Sequence, residues 1–101
     1  MPQPFVPDAG QSSLESLGKR LREARLARNE PQEIFAQRLR VSVPTLRAME
    51  QGRPTTQIGT WVAALWALRR LGELDGLLGA RESLFDETHG PRRKRAVRRR
   101  I

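Results

Sequence analysis

Apolar residues recur at helical spacing along most of the chain, in stretches separated by short polar breaks that carry proline, glycine or a hydroxyl residue. The first stretch, Leu14, Leu17, Leu21 and Ala24, follows the i, i+3, i+7 spacing of one helix face. It begins after Ser12 or Ser13 and predicts a helix to about Arg28, with Arg and Lys on its wet side. Ahead of it, residues 1–11 hold three prolines and a glycine without any period, which predicts a flexible leader. Asn29 and Glu30 interrupt the pattern, and Pro31 suits the first position of a second helix, where its missing N–H costs nothing. That helix should reach about Leu39 and bury Ile34, Phe35 and Leu39. Ser42 can cap a third helix over residues 43–51, with Pro44 inside its first turn; Gly52 can take the left-handed conformation that ends it, and Pro54 prevents resumption.

Thr55 or Thr56 can cap a fourth helix marked by Ile58, Trp61, Val62, Leu65, Leu68 and Leu71, and a short fifth, "ELDGLL", follows Gly72. Trp66 falls about 140° around the helix from Trp61, off the core stripe. It either fills space beneath the fifth helix or makes a subunit contact. Leu and Ala dominate the apolar set and the aromatics are only two Trp and three Phe, a balance that favours helices over strands. The expected architecture is all-α: five helices in one domain over residues 12–78, a leader at 1–11 and a tail at 79–101. At 101 residues there is room for only one such core.

Charge changes the picture at one end only. Net charge is +8, yet seven of the nineteen basic side chains lie between Arg92 and Arg100 with no acid among them, and the remaining twelve nearly balance the eleven acids. The run is either a solvated end or a binder of phosphates or acidic groups. No cysteine is present, no stretch of about 18 apolar residues could span a bilayer, and no secretory pattern opens the chain. The expectation is a cytoplasmic protein. Catalysis finds little footing: His89 is the only histidine, Asp86 and Glu87 beside it read as solvated charges, and no nucleophile pair, ligand set or Gly-rich phosphate loop accompanies them. No enzyme activity, metal or cofactor is expected.

The third helix is set out by a cap and a stop with only nine residues between them. Two or three turns suffice for a helix that enters a DNA major groove, because only its first residues reach base edges while the preceding helix rests across the phosphates. Ala36 is small where two helices would cross, Val41 can plug the turn, and Leu46 and Met49 face the core; Val43, Pro44, Arg47 and Ala48 point outward.

The stretch "PQEIFAQRLRVSVPTLRAMEQGRP" resembles the helix-turn-helix of the Xre, or phage-repressor and Cro-like, family: Gln32 opens helix two, then Ala36, Val41 with Ser42, Leu46, and Glu50 followed by Gly52. The likeness extends over about residues 14–78 and implies a lambda-repressor-like DNA-binding fold. Arg40 stands where the family usually has glycine, so it must either accept a left-handed backbone or sit in a modified turn; Glu30 and Pro31 replace the usual apolar and hydroxyl residues. The resemblance implies that Gln32 bonds a phosphate and that Ser42 and Thr45 contact backbone or base edges. It further implies that Arg47 reads guanine, that Val43 and Pro44 offer apolar surface to a thymine methyl, and that Arg53 lies near the backbone or minor groove. Arg25 and Glu50 resemble the family's buried pair joining helix one to helix three.

The tail, "ESLFDETHGPRRKRAVRRR", joins Leu84 and Phe85 to acids and then to the basic run, an order similar to HipB-like antitoxins, whose partners are HipA-like Ser/Thr kinase toxins. By that likeness Leu84, Phe85, Arg92, Arg93 and Arg95 would meet a partner; alternatively the apolar pair packs back on helix five, or the basic run follows flanking DNA. The expected function is a homodimeric repressor on a palindromic operator, an antitoxin that also restrains a kinase. A stand-alone regulator, or a protein-binding module that does not read DNA, are the alternatives.

Overall fold

A computed structural model describes residues 5–79. Five helices follow one another: α1 (Asp8–Ala27), α2 (Gln32–Leu39), α3 (Val43–Glu50), α4 (Ile58–Ala67) and α5 (Leu71–Asp75). Among the described residues there is no strand. α3 packs on α1 and α2, α4 on α2, and α5 on α4. Phe35, Leu46 and Met49 are wholly enclosed at the centre, ringed by Leu21, Ala36, Leu39, Ala64, Ala67 and Leu68. Each enclosed large side chain contributes about 1.5–3 kcal/mol of transfer free energy, so one small core suffices for these short helices.

Several boundaries depart from the sequence expectation. α1 starts at Asp8, so residues 8–11 are helical and do not belong to a flexible leader. Pro7 is its N-cap residue, Asp8 places a carboxylate at the positive end of the helix, and Gln11 Nε2 donates to the Gly52 carbonyl at 3.1 Å. That last bond lies 41 residues away in sequence, which is why local reading misses this turn. Pro31 is the N-cap of α2, with extended backbone, and is not its first helical residue. Ile34 is not buried but 46 % exposed. Neither Thr55 nor Thr56 caps α4: Gln57 holds that position, and the Thr56 hydroxyl donates back to the Arg53 carbonyl. α4 ends at Ala67, so Leu68 and Leu71 belong to its C-cap and to α5, because Arg69 turns left-handed between them. Trp66 does not fill the space beneath α5; it is 67 % exposed.

Four helix ends use one device. At each, a residue with positive φ follows the last turn, its own N–H donates to the carbonyl three back, and the next N–H reaches the carbonyl five back, as Arg40 N–H does to Gln37 and Val41 N–H to Ala36, both at 3.0 Å. Asn29, Arg40, Gly52 and Arg69 occupy this position after α1, α2, α3 and α4. Gly52 is the only glycine of the four, and it has a second reason: a Cβ there would lie 2.6 Å from the Glu15 Cα. Gly18 on α1 is equally constrained, since its Cβ would lie 2.5 Å from the Glu50 carbonyl oxygen. α1 and the C-terminal end of α3 therefore touch backbone to backbone.

Candidate nucleic-acid interface

α2, the turn at Arg40 and Val41, and α3 form one rigid corner. Arg40 adopts φ 59° and ψ 43°, so the chain takes the left-handed alternative at the position where glycine is expected. Val41 is half-buried against the core and plugs the turn. Ser42 caps α3: its Oγ accepts the Thr45 N–H at 3.2 Å and lies 3.0 Å from Thr45 Oγ1. The two hydroxyls expected to touch DNA thus first hold each other and the helix start, with Ser42 itself exposed.

Beneath α3 lies a buried polar cluster. Arg25 Nε and Nη2 donate to the two Glu50 carboxylate oxygens at 2.7 and 3.1 Å, and Nη1 donates to the Glu30 carbonyl at 2.8 Å. Both side chains are almost fully enclosed, with 5 % and 4 % exposure, and the pair ties α1 directly to α3. Gln32 Nε2 donates to the same carboxylate at 3.2 Å, which brings the first residue of α2 under the corner. Gln32 is half-buried, and this bond fixes its amide toward Glu50.

The outer side of α3 differs in kind. Leu46 and Met49 are wholly enclosed, while Pro44 and Arg47 are exposed and Ala48 is half-buried. Val43 packs partly against the core, which corrects the expectation that it points fully outward. The Arg47 side chain makes no hydrogen bond or ion pair with the described residues, and neither does that of Arg53, exposed just past the helix. Arg47 therefore presents its full fork of donors to solvent. The first turn of α2 has no side-chain cap, because Pro31 offers none, so its leading N–H groups are also unclaimed.

Arg38 has a structural task that sequence reasoning missed. Its guanidinium bonds the Glu30 carboxylate and donates to the Ala67 carbonyl at 2.9 Å, closing the last turn of α4 onto α2. Glu30, where the resemblance implies an apolar residue, is the carboxylate partner, and only the spatial approach of α4 reveals the arrangement. Glu30 Oε1 is enclosed and has no hydrogen-bond partner among the described residues. Arg70 and Glu73 pair at the start of α5; the hydrogen bond from Arg70 holds the Glu73 carboxyl below its ordinary range and raises Arg70.

Leu84, Phe85, His89, Arg92, Arg93 and Arg95 lie outside the described residues. Among the described residues no group of His, Asp or Glu is arranged to hold a metal, and no helix is long and apolar enough to cross a membrane. No curated protein and no solved structure matches the chain. One family model does match, over residues 20–58, from the middle of α1 to the first residue of α4. That span holds the capped α3, the α2 turn and the Arg25–Glu50 clasp, and by it the chain contains a helix-turn-helix domain.

Proposed function

We propose that this protein is a sequence-specific DNA-binding transcriptional regulator, a repressor, that inserts α3 into the major groove. The observation that carries the reading is the two-sidedness of α3: Leu46 and Met49 lock one side into the core while Pro44 and Arg47 stand exposed on the other, the Arg47 side chain without a partner among the described residues. A guanidinium in that position can donate two parallel bonds to guanine O6 and N7, worth about 1–3 kcal/mol against a wrong base. Pro44, with the exposed part of Val43, offers apolar surface to a thymine methyl. The unclaimed N–H groups at the start of α2 favour a phosphate, with Ser42, Thr45 and Arg53 on the flanking backbone. Gln32 spends one Nε2 hydrogen on Glu50 and keeps the second, the only one it could donate to a phosphate.

One short recognition helix discriminates few base pairs, and two copies on a palindrome roughly double the reading, so the active species is a homodimer. Footprinting over the protein's own promoter, repeated with Arg47→Ala, tests this. Wild type should protect a symmetric site that the variant no longer distinguishes from flanking DNA; equal protection by both would refute the role of Arg47.

The finer reading, an antitoxin of the HipB-like kind that also restrains a HipA-like kinase in the cytoplasm, rests on Leu84, Phe85, Arg92, Arg93 and Arg95. What supports it is their order in the sequence, an apolar pair among acids ahead of a basic run. A kinase captured by the full chain and lost on removing residues 80–101 is the expected result. Operator binding without any such partner would leave a stand-alone regulator.

A further inference from the structure

The core stays open on one side. α1 packs on α3, while α4 packs on α2 and α5, and a cleft lies between α1 and the α4–α5 pair. Leu21 and Leu68 form its buried floor, and Leu17, Ala24, Trp61 and Leu65 line it half-buried. Arg20 and Arg70 stand exposed on its rim; Arg70 pairs with Glu73, whereas Arg20 makes no hydrogen bond or ion pair with the described residues. α5 does not close the cleft: it contributes no buried residue, and Leu77 and Leu78 just beyond it are themselves exposed. The open space amounts to about 340 Å³. One turn of helix, at a diameter of ~10 Å and a pitch of ~5.4 Å, occupies roughly 400 Å³, so the cleft suits a pair of side chains better than a partner's helix.

We infer that Leu84 and Phe85 of this same chain fill the cleft, with Glu82, Asp86 and Glu87 set against Arg20 and Arg70. The place where the described chain ends permits it. Two i→i+3 turns follow Glu73: Gly76 N–H donates to the Glu73 carbonyl at 3.3 Å, and Gly79 N–H to that of Gly76 at 3.2 Å. Each such turn spans less than about 7 Å, so Gly79 stays within about 14 Å of Glu73 on the cleft rim. Leu84 is five residues further on. That length reaches up to about 17 Å, enough to bring the pair back to the rim. Charge selects the same segment. Beyond Leu78 the next large apolar residues are Leu84 and Phe85, and acids flank them on both sides, opposite a rim whose Arg20 has no partner among the described residues. Burial of the apolar pair supplies the affinity and the charges fix its direction. A tether this short holds the pair at an effective concentration on the order of mM, against which any unlinked occupant must compete. A kinase that takes the same two residues would have to draw them out of the cleft.

Trp61 reports on the cleft, and in the full chain carrying Trp66→Phe it is the only tryptophan. Replacing Leu84 and Phe85 together by Ser in that chain should shift its emission to the red, with helical circular dichroism unchanged. The acrylamide quenching constant should rise about twofold as the covered indole opens to solvent. Unchanged emission and quenching would overturn the inference. The absence of cysteine allows a second measurement. Under mild oxidation, Ala24→Cys in the cleft together with Ser83→Cys should close a disulfide within one chain. It should form roughly tenfold faster than with Gln37→Cys, exposed on α2, and the same Ser83→Cys. Equal rates, or a disulfide that joins two chains instead, would overturn it too. Neither readout contains DNA, so failure of the Arg47→Ala footprint and failure of tail docking are separable.

Discussion

Arg40 and Arg69 hold left-handed backbone at φ 59° and 62°, a conformation that costs a side chain with a Cβ about 1–2 kcal/mol. Glycine at either position relieves that cost, offset in part by the greater freedom of the unfolded chain. Arg69→Gly should therefore raise stability by about 0.5–1 kcal/mol in urea unfolding; no gain would mean that the turn after α4 is not as described. Arg40→Gly should gain similarly. Gly18 behaves oppositely. Its Cβ would meet the Glu50 carbonyl at 2.5 Å, backbone that cannot move aside without parting α1 from α3, so Gly18→Ala should destabilise strongly where Gly72→Ala, with open space around it, should not.

The same logic governs the elements. Ser42→Ala removes the acceptor for the Thr45 N–H and should cost about 1 kcal/mol, fraying the start of α3 where DNA contact is proposed. The Arg25–Glu50 clasp is the more consequential joint. Glu50→Ala leaves a buried guanidinium unpaired and should cost about 3–5 kcal/mol, whereas Arg25→Met with Glu50→Leu together should cost much less. A double variant as damaged as the single one would show that the pair does more than compensate its own burial. The cap at Ser42, the stop at Gly52 and the clasp itself could be read in the sequence, because each is set by residues a few positions apart or by a resemblance that names both partners. The first turn of α1, the exposure of Ile34 and the bond of Arg38 to the end of α4 could not. Each depends on how a distant helix approaches: Gln11 needs the Gly52 carbonyl, and Arg38 needs that of Ala67. Trp66 illustrates the remaining limit, since its angle on the helix removes it from the core without saying what meets it.

At the scale of the whole molecule, base reading and charge separate. Recognition is proposed for α3, while seven basic side chains lie between Arg92 and Arg100 in the sequence. If those follow the flanking phosphates, every phosphate they neutralise steepens the fall of log K with log salt by about 0.9. Removing residues 80–101 should then weaken binding to all duplexes and flatten that dependence, leaving the preferred sequence unchanged. Base reading by α3 is the central claim, and selection from a randomised duplex pool, with wild type and Arg47→Ala side by side, measures it most directly. Wild type should enrich a palindromic sequence with a fixed guanine in each half-site, and Arg47→Ala should lose the preference for that guanine while remaining folded. Enrichment of no sequence, or of the same guanine by both proteins, would contradict it.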